Sequence, residues 1–112
     1  MIITLQDDLD AISAILNETF KVPPFKRSYD ETFAKIARIL CRYGIVENAH
    51  NLRFRFISCM QEFFDNTPQD QWHINDPAFV KLSEDFTIVK FREWIIENLI
   101  QSCSLKPIAR IF

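Results

Sequence analysis

Leu5, Leu9, Ile12, Leu16 and Phe20 recur at intervals of three and four residues, the spacing that lines up one face of an α-helix. The first predicted element is therefore a helix from about Leu5 to Phe20, with Thr4 as its N-cap and Asp7 and Asp8 in a first turn where acids suit the positive end of the helix dipole. "KVPPF", residues 21–25, breaks it, because each proline pushes the residue before it out of the helical region. "SYDE", Ser28 to Glu31, has the form of a capping box and starts a second helix. Its apolar stripe is Tyr29, Phe33, Ile36, Leu40 and Tyr43, and Gly44 follows where a left-handed residue usually closes a helix, with Ile45 supplying the accompanying apolar contact.

"NLRFRFIS", residues 51–58, fits two patterns. Leu52, Phe54 and Phe56 alternate with Arg53 and Arg55 as in a half-buried strand, whereas Ala49, Leu52, Phe56, Cys59, Met60 and Phe63 fall on one helical arc. The alternation stops after Phe56 and the helical arc runs on, so residues 48–65 are predicted to be a third helix. Phe54 then points about 160° away from the main stripe. Either this helix is packed on two sides, the expected arrangement, or the extra apolar face serves a homodimer or a partner.

"TPQD" and "DPAF" each place a capping residue before a proline, predicting a short turn after Pro68 and a new helix from Pro77. Ser83 either interrupts that helix or begins the next. The last long helix, about Glu84 to Cys103, carries Ile88, Val89, Ile95, Ile96, Leu99, Ile100 and Cys103 over half its circumference, with Phe91 and Trp94 on a second face. Pro107 is expected to stop it, and "IARIF" to dock as an apolar tail. The predicted fold is all-α: a compact single domain, residues 1–112, of about five helices with the third and last at its centre.

Composition supports this class. The chain has a single glycine and no Asn-Gly or Asp-Gly pair, which leaves tight hairpins without their usual turn residues. The same scarcity excludes the glycine-rich loops that cradle phosphates. Cys41, Cys59 and Cys103 are odd in number and embedded in apolar stripes, so they read as reduced core thiols rather than nucleophiles or a disulfide framework. No two residues among these cysteines, His50 and His73 have the short spacing of zinc ligand pairs, so no metal and no cofactor is expected. No pair of acids is marked for catalysis, and the chain is expected not to be an enzyme. The acidic N-terminus lacks a signal peptide's basic region and no apolar run is long enough to span a bilayer, so the expected location is the cytoplasm, away from membranes.

Charge is unevenly distributed. Residues 26–55 hold seven basic and three acidic residues, while residues 62–85 hold Lys81 against six acids. A helix, Gly44, helix outline next to basic residues invites comparison with helix-turn-helix DNA readers. The positions six and nine after Gly44, which should be apolar to hold a recognition helix, are His50 and Arg53. Nucleic-acid binding through Lys35, Arg38, Arg42, Arg53 and Arg55 is thus the second reading. The first is protein binding: "EFFDNTPQDQWHIND" joins Glu62, Asp65, Asp70 and Asp76 to Trp72 and His73 in a proline-containing loop, and loops on rigid scaffolds carry binding residues disproportionately. An inhibitor of the immunity or antitoxin kind, covering a basic site such as that of a nuclease, is the function this pattern suggests, with Trp72 as anchor unless it folds inward over the core.

Overall fold

Helical periodicity wins wherever it competed with alternation: in the computed structural model, which describes residues 5–111 and the side chains of residues 5–102, the described chain contains no strand. Four helices form, α1 (Leu5–Lys21), α2 (Tyr29–Cys41), α3 (Ala49–Asp65) and α4 (Pro77–Ile111), with single 3₁₀ turns at Pro24–Lys26 and Gln69–Gln71. Thr4 as a cap, the Cys103 thiol and the docking of the last residues' side chains lie outside the described part. α1 packs on α2, α2 on α3, α3 on α4, and α4 closes back on α1. Short connections between successive helices give the up-and-down bundle that this order of contacts describes.

Each helix gives the core one stripe: Leu9, Ile12 and Leu16 from α1, Phe33, Ile36 and Leu40 from α2, Leu52, Phe56 and Cys59 from α3, and Phe91, Ile95 and Leu99 from α4. At its centre three rings from three helices meet, with centroids 5.5 Å apart for Phe33 and Phe56, 5.7 Å for Phe33 and Phe91 and 5.4 Å for Phe56 and Phe91. Tilted and edge-on contacts at these spacings are the favoured aromatic geometries. The α3–α4 contact is the most extensive in the molecule.

Four helices stand where about five were expected, because α4 is continuous. Ser83 does not interrupt it: its hydroxyl donates to the Val80 carbonyl at 2.7 Å, and the Thr87 hydroxyl donates to the Ser83 carbonyl at 2.7 Å. Satisfied within their own helix, both side chains sit buried in the stripe Ser83, Thr87, Phe91, Ile95, Leu99. Pro107 does not end the helix either, which runs on to Ile111. A proline removes one hydrogen bond and crowds one carbonyl, a local cost that does not stop propagation here. The buried face also differs from expectation. Phe91 is fully buried, whereas Val89 and Ile100 are 54% and 53% exposed. Where apolar residues cover half a helix, the facing rings choose the centre, and Phe33 with Phe56 selects Phe91.

The ends of the helices follow local chemistry. Gly44 has φ +78°, Ile45 N–H donates to Leu40 O at 3.2 Å and Gly44 N–H to Cys41 O at 3.1 Å, the paired bonds of a Schellman ending. The Ser28 capping box does not form. Instead the Ser28 carbonyl accepts both Thr32 N–H and the Thr32 hydroxyl, at 3.2 and 3.1 Å, and the Thr32 hydroxyl meets that of Thr19 on α1 at 2.7 Å. Asn48 caps α3 by accepting from Asn51 N–H at 2.7 Å. Asp76 caps α4 through Ala78 N–H at 3.0 Å, but Thr67, expected to cap before Pro68, turns its hydroxyl back to the Phe63 carbonyl at 2.8 Å.

Two polar locks join elements distant in sequence. Arg27, whose side chain is 6% exposed, donates from Nε to Val22 O at 2.8 Å, from Nη1 to Tyr29 Oη at 3.2 Å, and from Nη2 to both Glu84 carboxylate oxygens at 3.3 and 3.4 Å. At the other end, buried Asp8 accepts from Arg42 Nη1 at 2.8 Å and from the Tyr43 hydroxyl, while the Ser102 hydroxyl donates to the Tyr43 carbonyl. Asp8 therefore does more than suit the dipole of α1. It ties α1 to the end of α2, and Ser102 adds α4.

Candidate partner-binding end of the bundle

The last turns of α3 and the connection 66–76 build one end of the molecule. The 3₁₀ turn Gln69–Gln71 hands the chain to Trp72, whose indole Nε1–H donates to Thr67 O at 2.8 Å and whose ring stands edge-on to Phe64 at 5.2 Å. Behind it the rings continue: Phe64 to Phe63 at 5.3 Å and Phe79 at 6.1 Å, then Phe63 to Phe86 at 5.4 Å. His73 stacks edge-on against Phe79 at 6.1 Å. This cluster is a second, smaller core, apart from the main one.

Trp72 is neither folded away nor free. One flank rests on Phe64, its N–H is engaged, and 36% of its surface is exposed beside Ile74, which is 64% exposed. An open hollow of about 440 Å³ lies along Trp72, His73, Ile74 and Asp76. Glu62, Asp65, Asp70 and Asp76 are all exposed. Some of their charge is used locally: Glu62 lies 3.9 Å from Lys90 Nζ, Asp65 accepts from Gln61 Nε2 at 2.8 Å, and Asp76 is the α4 cap. All six residues predicted for partner binding thus lie on one connection and the helix ends flanking it.

The five basic residues of the second reading are not gathered in the same way. Lys35 pairs with Glu31 at 3.4 Å and Arg42 with Asp8 at 2.8 Å. Arg53 lies over Tyr29 and 3.8 Å from Asp30, on the α2 side of α3, whereas Arg55 lies over Trp94 at 5.0 Å, on the α4 side. Two residues apart on a helix means nearly opposite directions.

Several surface features escaped the sequence pattern. On the outer side of α3, Phe54 and Ile57 are 57% and 47% exposed, so no neighbouring helix covers the face that was expected to be packed. His50 stands edge-on to Phe54 at 4.7 Å. The 160° offset of Phe54 was the visible signal for this patch. Cys41, expected within an apolar stripe, is exposed at the end of α2, while Cys59 is buried and its thiol pKa is pushed up, chiefly by burial, with Arg55 pulling the other way. Among the described residues no group of three or more His, Cys, Asp or Glu side chains could hold a metal ion, and no helix is long and apolar enough to cross a membrane.

Comparison with protein-family models, curated proteins and solved structures gave no match.

Proposed function

We propose that this chain is a non-catalytic protein-binding domain that covers a basic surface on its partner, in the manner of an immunity protein or antitoxin masking a nuclease site. The observation that carries this reading is the state of Trp72: about a third exposed, yet fixed by a hydrogen bond and a ring contact, on a connection whose acids are exposed and one of which, Asp76, lines the same hollow. A large side chain held in place before binding loses little entropy when a partner encloses it, which is why tryptophan dominates interface hot spots. Asp65, Asp70 and Asp76, with Glu62, steer a positively charged partner toward it. The ion pairing of the basic residues, and their spread over different sides of the bundle, favour this end over a nucleic-acid interface.

The test is capture from the native host, with identification of what co-purifies and measurement of association rates. Trp72→Ala is expected to weaken capture by about thirtyfold, equivalent to the roughly 2 kcal/mol of a hot-spot residue. Asp70→Lys touches no packed group and is expected to slow association without hastening release, with an effect that fades as salt is added. Capture unchanged by both substitutions overturns the reading.

A further inference from the structure

α3 packs on α2 and α4 and leaves one side open, where His50, Phe54, Ile57 and Gln61 are all exposed. At about 100° of rotation per residue these four positions fall within about 60° of one another, so they form one straight stripe along the helix. Its middle, Phe54 and Ile57, is apolar. Beside Phe54 a hollow of about 430 Å³ opens between α3 and α4, lined by Asn51, Arg55, Ser58 and Trp94, with room for a side chain from a facing helix.

The charges on α3 say what kind of helix that is. His50, Arg53 and Arg55 lie in its first half, and Glu62 and Asp65 close it. This order opposes the helix's own dipole, which favours acids in the first turn and bases in the last. α1 follows that rule with Asp7, Asp8 and Lys21, and α2 with Asp30, Glu31 and Arg38. α3 reverses it. Its neighbours in the chain use the charges only loosely: Asp30 lies 3.8 Å from Arg53 and Lys90 3.9 Å from Glu62, and the Arg53 and Glu62 side chains are each 49% exposed. A helix that is basic at its start and acidic at its end is complementary to its own reversed copy.

We propose that the open face of α3 docks on the same face of a second copy of the chain, the two helices antiparallel. A two-fold axis near Ile57, the middle of α3, sets the Ile57 side chains of the two copies together and lays each Phe54 toward Gln61 of the other. It also brings His50 and Arg53 of one copy level with Asp65 and Glu62 of the other, so that charge steers the pair into this orientation and opposes the parallel one. α3 has 17 residues, about 25 Å at 1.5 Å per residue. A contact of one helix face falls below the roughly 800 Å² per partner of a standard interface, which makes the dimer a weak one, with Kd about 10–100 µM. Glu62 and Asp65 enter both this contact and the partner-binding reading, whereas Phe54 and Ile57 enter this one alone, and the dimer does not depend on that reading.

The test is sedimentation equilibrium of the full chain from about 5 to 500 µM, a range that brackets the expected monomer–dimer transition. Phe54→Asp alters an exposed side chain, so helical circular dichroism is expected to stay while dimer affinity falls at least about tenfold. Should it not fold, Ile57→Lys is read in its place. Arg53→Glu is expected to weaken the dimer about two- to threefold, and adding Asp65→Lys to it to recover most of that loss, because the exchanged charges again face one another. A parallel pair sets Arg53 beside Arg53 and predicts no loss from the first of these substitutions. A chain that stays monomeric at about 500 µM, a dimer indifferent to Phe54→Asp and Ile57→Lys, or an Arg53→Glu chain that associates as tightly as the original overturns the proposal.

Discussion

Gly44 is the one position where backbone conformation alone fixes the chemistry of a turn. A Cβ built there meets nothing within 4 Å, so a larger residue is opposed by φ +78° and not by crowding. Left-handed geometry costs an L-residue about 1–2 kcal/mol, partly offset by the reduced freedom of the unfolded chain. Gly44→Ala is therefore expected to lower stability by about 1 kcal/mol in urea titration, and Gly44→Asn by less; no loss in the alanine variant would mean that φ is not positive in solution. The cysteines offer a second test at this scale. Burial holds the Cys59 thiol above its usual pKa of 9.0 while Cys41 is exposed, so a thiol reagent at mildly alkaline pH should modify Cys41 first and Cys59 only as the chain opens, read by peptide mass mapping. The sign of the linkage follows: the folded state keeps the Cys59 proton that the unfolded chain releases more readily. Its contribution to stability is intact below about pH 9 and declines as pH rises further. Cysteine in a stripe looked uniformly hidden in the sequence, yet Cys41 follows Leu40 by 100° of helix rotation, enough to leave the core.

At the scale of elements, what could be read in advance was whatever repeats along a helix. The stripes of α1, α2 and α3 and the glycine ending of α2 are periodic or positional signals, and all appear at the expected residues. What could not be read was anything decided between elements. Ser83 looks like an interruption until its hydroxyl finds a carbonyl within α4, as that of Thr87 does, and Phe91 displaces Val89 from the core only because Phe33 and Phe56 are there to meet it. Arg27 is the plainest case. Its sequence neighbours are a proline turn and a supposed capping box, but its guanidinium is buried under Phe20 at 4.4 Å and held on Glu84, 57 residues away. Removing one member of a buried pair leaves a charge without compensation, at about 3–5 kcal/mol, whereas replacing both by apolar residues of similar size is often nearly neutral. Glu84→Gln or Arg27→Met alone should thus destabilise strongly, and Arg27→Met with Glu84→Leu should recover most of the loss. Urea titration of all the variants provides the check. Equal losses that simply add would show that the pair is not coupled.

The whole molecule has two apolar centres on one rod. The main core lies among all four helices, and the ring cluster of Phe63, Phe64, Phe79, Phe86 and Trp72 lies at the α3–α4 end. α4 reaches 35 residues, about 52 Å at 1.5 Å per residue, which accounts for most of the molecule's 56 Å length. Phe86 and Phe91 belong to different centres but to the same helix, little more than one turn apart, and Phe63 follows Cys59 by one turn on α3. Helices are cooperative along their length, so the end cluster should melt with the main core and not before it. Each tryptophan reports on one centre: Trp72 on the end cluster, and Trp94, stacked on Phe91 at 6.1 Å, on the main one. In Trp94→Phe, Trp72 emission is expected to follow the same urea transition as that variant's far-ultraviolet circular dichroism, and in Trp72→Phe, Trp94 emission is expected to do likewise. If Trp72 emission changed at lower urea than the helical signal, the end would be a loose flap. Its tryptophan would then have to be ordered at the moment of binding, and the low-entropy anchor on which the partner-binding reading depends would be lost.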